Sequence, residues 1–277
     1  MQYAYAYQLN GTQTSGLDPS AKAYINAVVA AGATVNSTQR NAINTFVKTG
    51  KTDGWYSSLK RLYFPIWASA SPNAIDMIST LSGTFVGGVT HSSGYVNGNG
   101  TNAYFSFDSS PSTLGLSTSS GSIYCLVTGT SAINGTQVLG SVQDSSNASR
   151  TGFRSGGANT RSVSVFTQSS VTYSETDARS VLIASRTTST TNSAYKRTSS
   201  GFVTTVNEAT AASPVLVTTQ TMTFMAVNSN GSFSSFVPST VRFGAYGMGL
   251  GLTAAQAESF SLALKNLWET STGLTLP

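Results

Sequence analysis

The chain has 277 residues, long for one β-sandwich and short for two full domains. Only 9% of them are charged, against about 25% in ordinary soluble domains, and the net charge is +5. The 15 Lys and Arg residues form no run longer than Lys60-Arg61 or Lys196-Arg197, which excludes the clustered basic stripe of a nucleic-acid binder. A single cysteine, Cys125, rules out a disulfide within the chain and reads as a small buried hydrophobe. No run of about 18 apolar residues is present to span a membrane. Met1-Gln2-Tyr3-Ala4-Tyr5 lacks the basic start and apolar core of a signal peptide, so synthesis in the cytoplasm without one is expected.

Residues 1–17 read as an N-terminal arm. Tyr3, Tyr5 and Tyr7 alternate at period two, which puts three rings on one strand face. An assembly arm pairing with a neighbour and an ordinary edge strand both fit. A helical segment is expected over residues 18–70. Asp18-Pro19 opens a first helix whose Ala21, Tyr24, Ile25, Val28 and Val29 share one face, and Gly32 ends it. Asn36 and Gln39 form a capping box for a second helix with Ala42, Ile43, Phe46 and Val47 inward, closed by Gly50. Asp53 is placed to cap a third, short helix carrying Trp55, Leu59, Leu62 and Tyr63 before Pro65.

From about residue 75 the period changes to two. Strands are predicted over 84–89, 104–107, 122–128, 136–142, 162–167, 180–186, 202–206, 222–228 and 241–246. Turn dipeptides Asn99-Gly100, Asn134-Gly135, Ser200-Gly201 and Asn230-Gly231 lie between them. Short strands without intervening helices predict a mostly β, antiparallel sandwich over residues 71–277. It ends in a helix, 253–272, capped by Thr253 and Gln256 and stopped by Gly273.

Chemistry is scarce. Ten carboxylates and one histidine serve the whole chain, and His91 stands without an evident acid and nucleophile, so no catalytic residue is assigned. One His and one Cys do not close a zinc site. Glu175 and Asp177 are the one close pair of loop acids, and a rim calcium site there is the minority alternative to a solvated loop. No cofactor is expected. The glycines at 244, 247, 249 and 251 imitate a dinucleotide fingerprint but lack a βαβ unit and read as a turn before the last helix. Tyr95, Tyr173 and Tyr195 sit in polar, turn-rich settings and are the candidate contacts for a glycan or a protein partner; partial burial in the core is the other reading of each.

Three segments carry a resemblance. Ala23-Tyr24-Ile25, Asn41-Ala42-Ile43, Gly54-Trp55 and Leu59-Lys60-Arg61-Leu62-Tyr63 resemble a helical module of tailed-bacteriophage virion proteins. Gly94-Tyr95-Val96-Asn97-Gly98 with Tyr104-Phe105 is similar to the opening strands of laminin-G-like domains. Phe243-Gly244-Ala245-Tyr246 and Gly249 to Gln256 resemble the closing strand, turn and helix of the same phage proteins, with Gln256 where an acid is usual. The resemblance implies a lectin-like (laminin-G/concanavalin-like) sandwich in a non-enzymatic virion structural protein: a capsid decoration, head fibre or tail component at the particle surface. Other virion proteins and further copies of the chain would be its partners. The alternative is a carbohydrate-binding adhesin for cell-surface glycans, and a polysaccharide-degrading enzyme is the third class. Neither nucleic acid nor membrane insertion is expected.

Overall fold

The computed structural model describes residues 16–129, 138–143, 150–157, 160–167, 170–175, 177–209 and 220–277. Asp18 accepts the Ser20 amide at 2.9 Å and Pro19 occupies the first turn, which starts helix α1 (Pro19–Ala30). The Asn36/Gln39 capping box is formed and starts α2 (Ser37–Thr52). Gly50 does not close this helix. It lies inside it, where the Trp55 ring packs so close that a Cβ would sit 2.4 Å away and only glycine fits. A short α3 (Ala70–Asn73) follows, and α4 (Ala254–Thr272) has the Thr253/Gln256 box and a left-handed Gly273 cap.

Two sheets form the sandwich. The first runs β13 (Gly201–Ala209), β12 (Thr191–Thr198), β11 (Ser180–Arg186), β6 (Gly121–Val127), β17 (Phe243–Gly249), β4 (Tyr95–Asn97), β3 (Thr90–Ser92). β1 (Leu59–Tyr63) pairs with the free half of β17. The second runs β10 (Val171–Ser174), β9 (Thr160–Thr167), β8 (Arg150–Gly157), β7 (Val138–Gln143), β14 (Thr223–Phe224), β5 (Tyr104–Ser106), β2 (Thr84–Val86). β15 (Val227–Ser229) joins β7 in parallel and carries β16 (Ser232–Ser234) outward as a hairpin. The other described pairings are antiparallel.

Alternation sorts the side chains of the first sheet into two cores. Ile123, Cys125, Val127, Leu182 and Ala184 point between the sheets, where Tyr63, Phe105, Phe107, Phe224 and Tyr246 make an aromatic centre. Tyr124, Leu126, Val181 and Ile183 point the other way, onto α1, α2 and α4. Both faces being covered explains why β6, β11 and β17 are buried along their whole length. Phe260 of α4 ties the layers, with ring centroids 5.2 Å from Trp55 and 4.8 Å from Tyr124.

The predicted third helix is instead one turn of 3-10 helix (Tyr56–Ser58) leading into β1. A register shift between Leu59 and Arg61 brings Leu59 and Leu62 to the same core, so a bulged strand reproduces helical spacing in the sequence. The close approach of β1 also explains the glycines of β17. A Cβ on Gly247 would stand 2.1 Å from the Arg61 carbonyl oxygen, and one on Gly249 would stand 2.2 Å from that of Ser58. Gly247→Ala is therefore expected to push β1 off the sheet and cost about 1–3 kcal/mol. A thermal melt checks this; an unchanged midpoint would contradict the packing.

Candidate functional site

In β5, Phe105 faces the core while Tyr104 and Ser106 face outward, beside Val86 and Thr84 of β2. The β15–β16 hairpin turns through Asn230 (φ 52°) and Gly231 (φ 86°), the two left-handed positions of a type I′ turn. Asn228 Oδ1 accepts the Gly231 amide at 2.9 Å and fixes that turn. The hairpin lays Phe233 over Tyr104, with centroids 4.4 Å apart and planes 14° from parallel. Phe236 lies 6.5 Å from the same tyrosine. Phe233 is 37% exposed and stands on a strand otherwise made of exposed serines.

Neighbouring loops hold this platform in place. Asn99 Oδ1 accepts the amides of Thr101, Asn102 and Ala103 at 2.9–3.0 Å. The Gly100 amide donates to the Val237 carbonyl at 3.0 Å, which docks the loop beside the segment carrying Phe236. Beside Thr84 of β2 and Ser106 of β5 is the exposed carboxylate of Asp108. Its two oxygens accept the hydroxyls of Thr84 and Ser106, each at 2.6 Å. The result is a partly exposed aromatic surface flanked by oriented oxygen groups on a rigid sheet, an arrangement suited to binding a ligand with both apolar and hydroxylated faces.

The structure does not bring the sequence-predicted tyrosines together. Tyr95 on β4 lies under the Arg242 guanidinium, 4.6 Å from its ring centre. Tyr173 on β10 faces the sandwich interior, where burial raises its pKa and the Glu175 charge adds to the rise. Tyr195 is not a loop aromatic: it is 6% exposed in β12 and stacks on Phe202 at 5.6 Å. Tyr3, Tyr5 and Tyr7 lie outside the described residues. The calcium reading is corrected as well. Glu175 is buried against Arg161 and Lys196, and Asp177 is held by Arg179 at 2.7 Å, so cations already occupy both acids. Sequence reasoning missed Tyr104, Phe233 and Phe236. Its available signal was Ser232-Phe233-Ser234-Ser235-Phe236, two aromatics among serines straight after a hairpin turn.

His91 packs edge-on against Phe85 at 4.5 Å, and its Nδ1 lies 3.1 Å from the Asn73 amide nitrogen. Burial lowers its pKa below the ordinary 6.5. The unfolded chain therefore binds the His91 proton more readily, and stability present above that value declines as pH falls through the folded pKa. Melts at about pH 7.5 and about pH 5.5 should differ less for His91→Gln than for the natural protein; equal differences would contradict this role.

The helix layer carries a separate groove of about 460 Å³ between α2 and α4, walled by Thr45, Thr49, Asn266 and Thr270. Its floor residue Phe46 is buried and offers no free ring face.

Solved structures share this fold. A Trypanosoma rangeli sialidase in complex with 2,3-difluoro-KDN aligns with a TM-score of 0.52 and 12% identity, over 82% of this chain and 39% of that one. A mutant of the same sialidase displaying trans-sialidase activity aligns at 0.50 and 11%, with the same coverage. Domain 4 of AbnA, an extracellular arabinanase from Geobacillus stearothermophilus, aligns at 0.44 and 12%, over 74% of this chain and 98% of that one. The chain spans about two fifths of the length of the sialidases. No protein-family model matches it. No curated protein sequence matches it either.

At these identities the likeness defines the class of fold, a lectin-like β-sandwich with helices at both ends of the chain. It also corrects the virion reading. The structures that align at a TM-score of 0.50 or above are sialidases and not bacteriophage components, so the virion role, the virion partners with their homo-oligomer and the particle-surface location fall together. The expectation of a non-enzyme, drawn from the scarcity of titratable side chains and from the same resemblance, is corrected too, because the structures matched at this level are sialidases.

Proposed function

We propose that the chain is a carbohydrate-binding β-sandwich whose ligand lies on the outer face of the second sheet, against Phe233, Tyr104 and Phe236. The observation that carries this reading is the partly exposed Tyr104–Phe233 stack set beside the hydroxyls of Thr84 and Ser106 and the carboxylate of Asp108. Aromatic faces bind the C–H side of a sugar ring, and the oxygen groups take its hydroxyls. The fold shared with sialidases supports carbohydrate as the ligand class. As part of a larger carbohydrate-active protein, such a unit would hold glycan near a catalytic centre and raise its local concentration.

The test is a broad glycan panel probed with the purified chain. Binding to at least one glycan class, lost on replacing Tyr104 or Phe233, is the expected result. Absence of binding across the panel would overturn the proposal.

A further inference from the structure

Resting on that reading, we infer that the site selects an uncharged sugar through two adjacent hydroxyls donated to Asp108, and disfavours acidic sugars. Thr84 and Ser106 each spend their only hydroxyl proton on Asp108. Ser106 Oγ also receives the Asp108 amide at 3.2 Å, which fixes the carboxylate from below. Beside the rings, these three side chains therefore present lone pairs and no donor. A carboxylate oxygen accepts about two hydrogen bonds, and each oxygen of Asp108 has accepted one from these partners. Two neighbouring acceptor sites on one rigid group match two neighbouring hydroxyls on one sugar ring.

Charge points the same way. Among the described residues no lysine or arginine forms a salt bridge with Asp108, and none lies over Tyr104, Phe233 or Phe236. A sialic or uronic acid carboxylate would bring acceptors and negative charge to a surface that already holds both, where no described cation pairs with Asp108 or covers the rings. Tyr104 and Ser106 are two residues apart on one strand face, about 7 Å. That spacing lets one sugar ring rest on the aromatic platform while its hydroxyl edge reaches Asp108.

The experiment compares a neutral oligosaccharide found by the panel with the same oligosaccharide capped by a sialic or uronic acid, by calorimetry on the intact chain. The natural protein should prefer the neutral form by about tenfold or more. Asp108→Asn, which keeps the shape and removes the charge, should weaken the neutral ligand by about tenfold and shrink the preference. An analogue lacking one hydroxyl of the adjacent pair should bind the natural protein about as weakly as the full ligand binds that variant. Equal or tighter binding of the acidic form by the natural protein, a measurement that needs no variant, would overturn the inference and leave the carbohydrate reading standing. So would a preference unchanged by Asp108→Asn. Binding of neither form would overturn the underlying reading and this inference with it.

Discussion

Phe233→Ala is expected to lower glycan affinity by about tenfold to a hundredfold while leaving the fold almost untouched. The ring supplies the outermost aromatic face of the platform, and its loss removes apolar contact worth on the order of 1–3 kcal/mol. Its structural role is small because it is 37% exposed and its hairpin is held by the Asn230-Gly231 turn and by pairing with β15. Surface truncations of this kind usually change stability by no more than about 0.5 kcal/mol. Tyr104→Ala should weaken binding comparably, since it removes the base of the same stack. Full affinity retained by the Phe233 variant in a calorimetric titration would place the ligand elsewhere.

Arg161→Leu is expected to do the reverse, lowering stability strongly with little effect on binding. Arg161 lies on β9 in the interior period of Val163 and Val165, and its guanidinium pairs with the buried Glu175. Lys196 from the facing sheet reaches Glu175 at 2.8 Å and the Asp177 carbonyl at 2.6 Å, so this cluster ties the two sheets together. Removing Arg161 takes one of two cations from the buried Glu175 and leaves its charge only partly neutralised by Lys196, at about 3 kcal/mol. For a chain of this size that lowers the melting temperature by on the order of 10 °C. Arg161→Leu combined with Glu175→Leu should recover much of the loss, because the stranded charge is gone and Lys196 borders solvent. β9 and β10 stand at the opposite end of the second sheet from β5 and β2, so affinity of the folded variant should hold. Melts and titrations on one preparation separate the two effects; a single variant as stable as the natural protein would contradict the cluster's role.

The helices were legible because their signals are local. Asp18-Pro19, the Asn36/Gln39 box and the Thr253/Gln256 box each act within one turn, and all three are formed. Strands built on a continuous apolar run, such as Ser180–Arg186, were legible for the same reason. β12, whose sequence is Thr191-Asn192-Ser193-Ala194-Tyr195-Lys196-Arg197-Thr198, was not. Most of its side chains are polar, and pairing with β11 and β13 makes it a strand. β1 was misread because a bulge imitates helical spacing. The candidate site was illegible for a different reason. Tyr104 and Phe233 belong to strands far apart in sequence and meet only when the hairpin folds over the sheet. The virion resemblance misled because helix, sandwich and capped helix are features of architecture, which many functions share.

The most direct measurement is a titration of the isotope-labelled chain with a neutral oligosaccharide, following its aromatic resonances. The account requires the rings of Tyr104, Phe233 and Phe236 to shift first and together, with Tyr195 and Tyr173 unmoved. Shifts confined to the groove between α2 and α4, or none with any glycan, would contradict it.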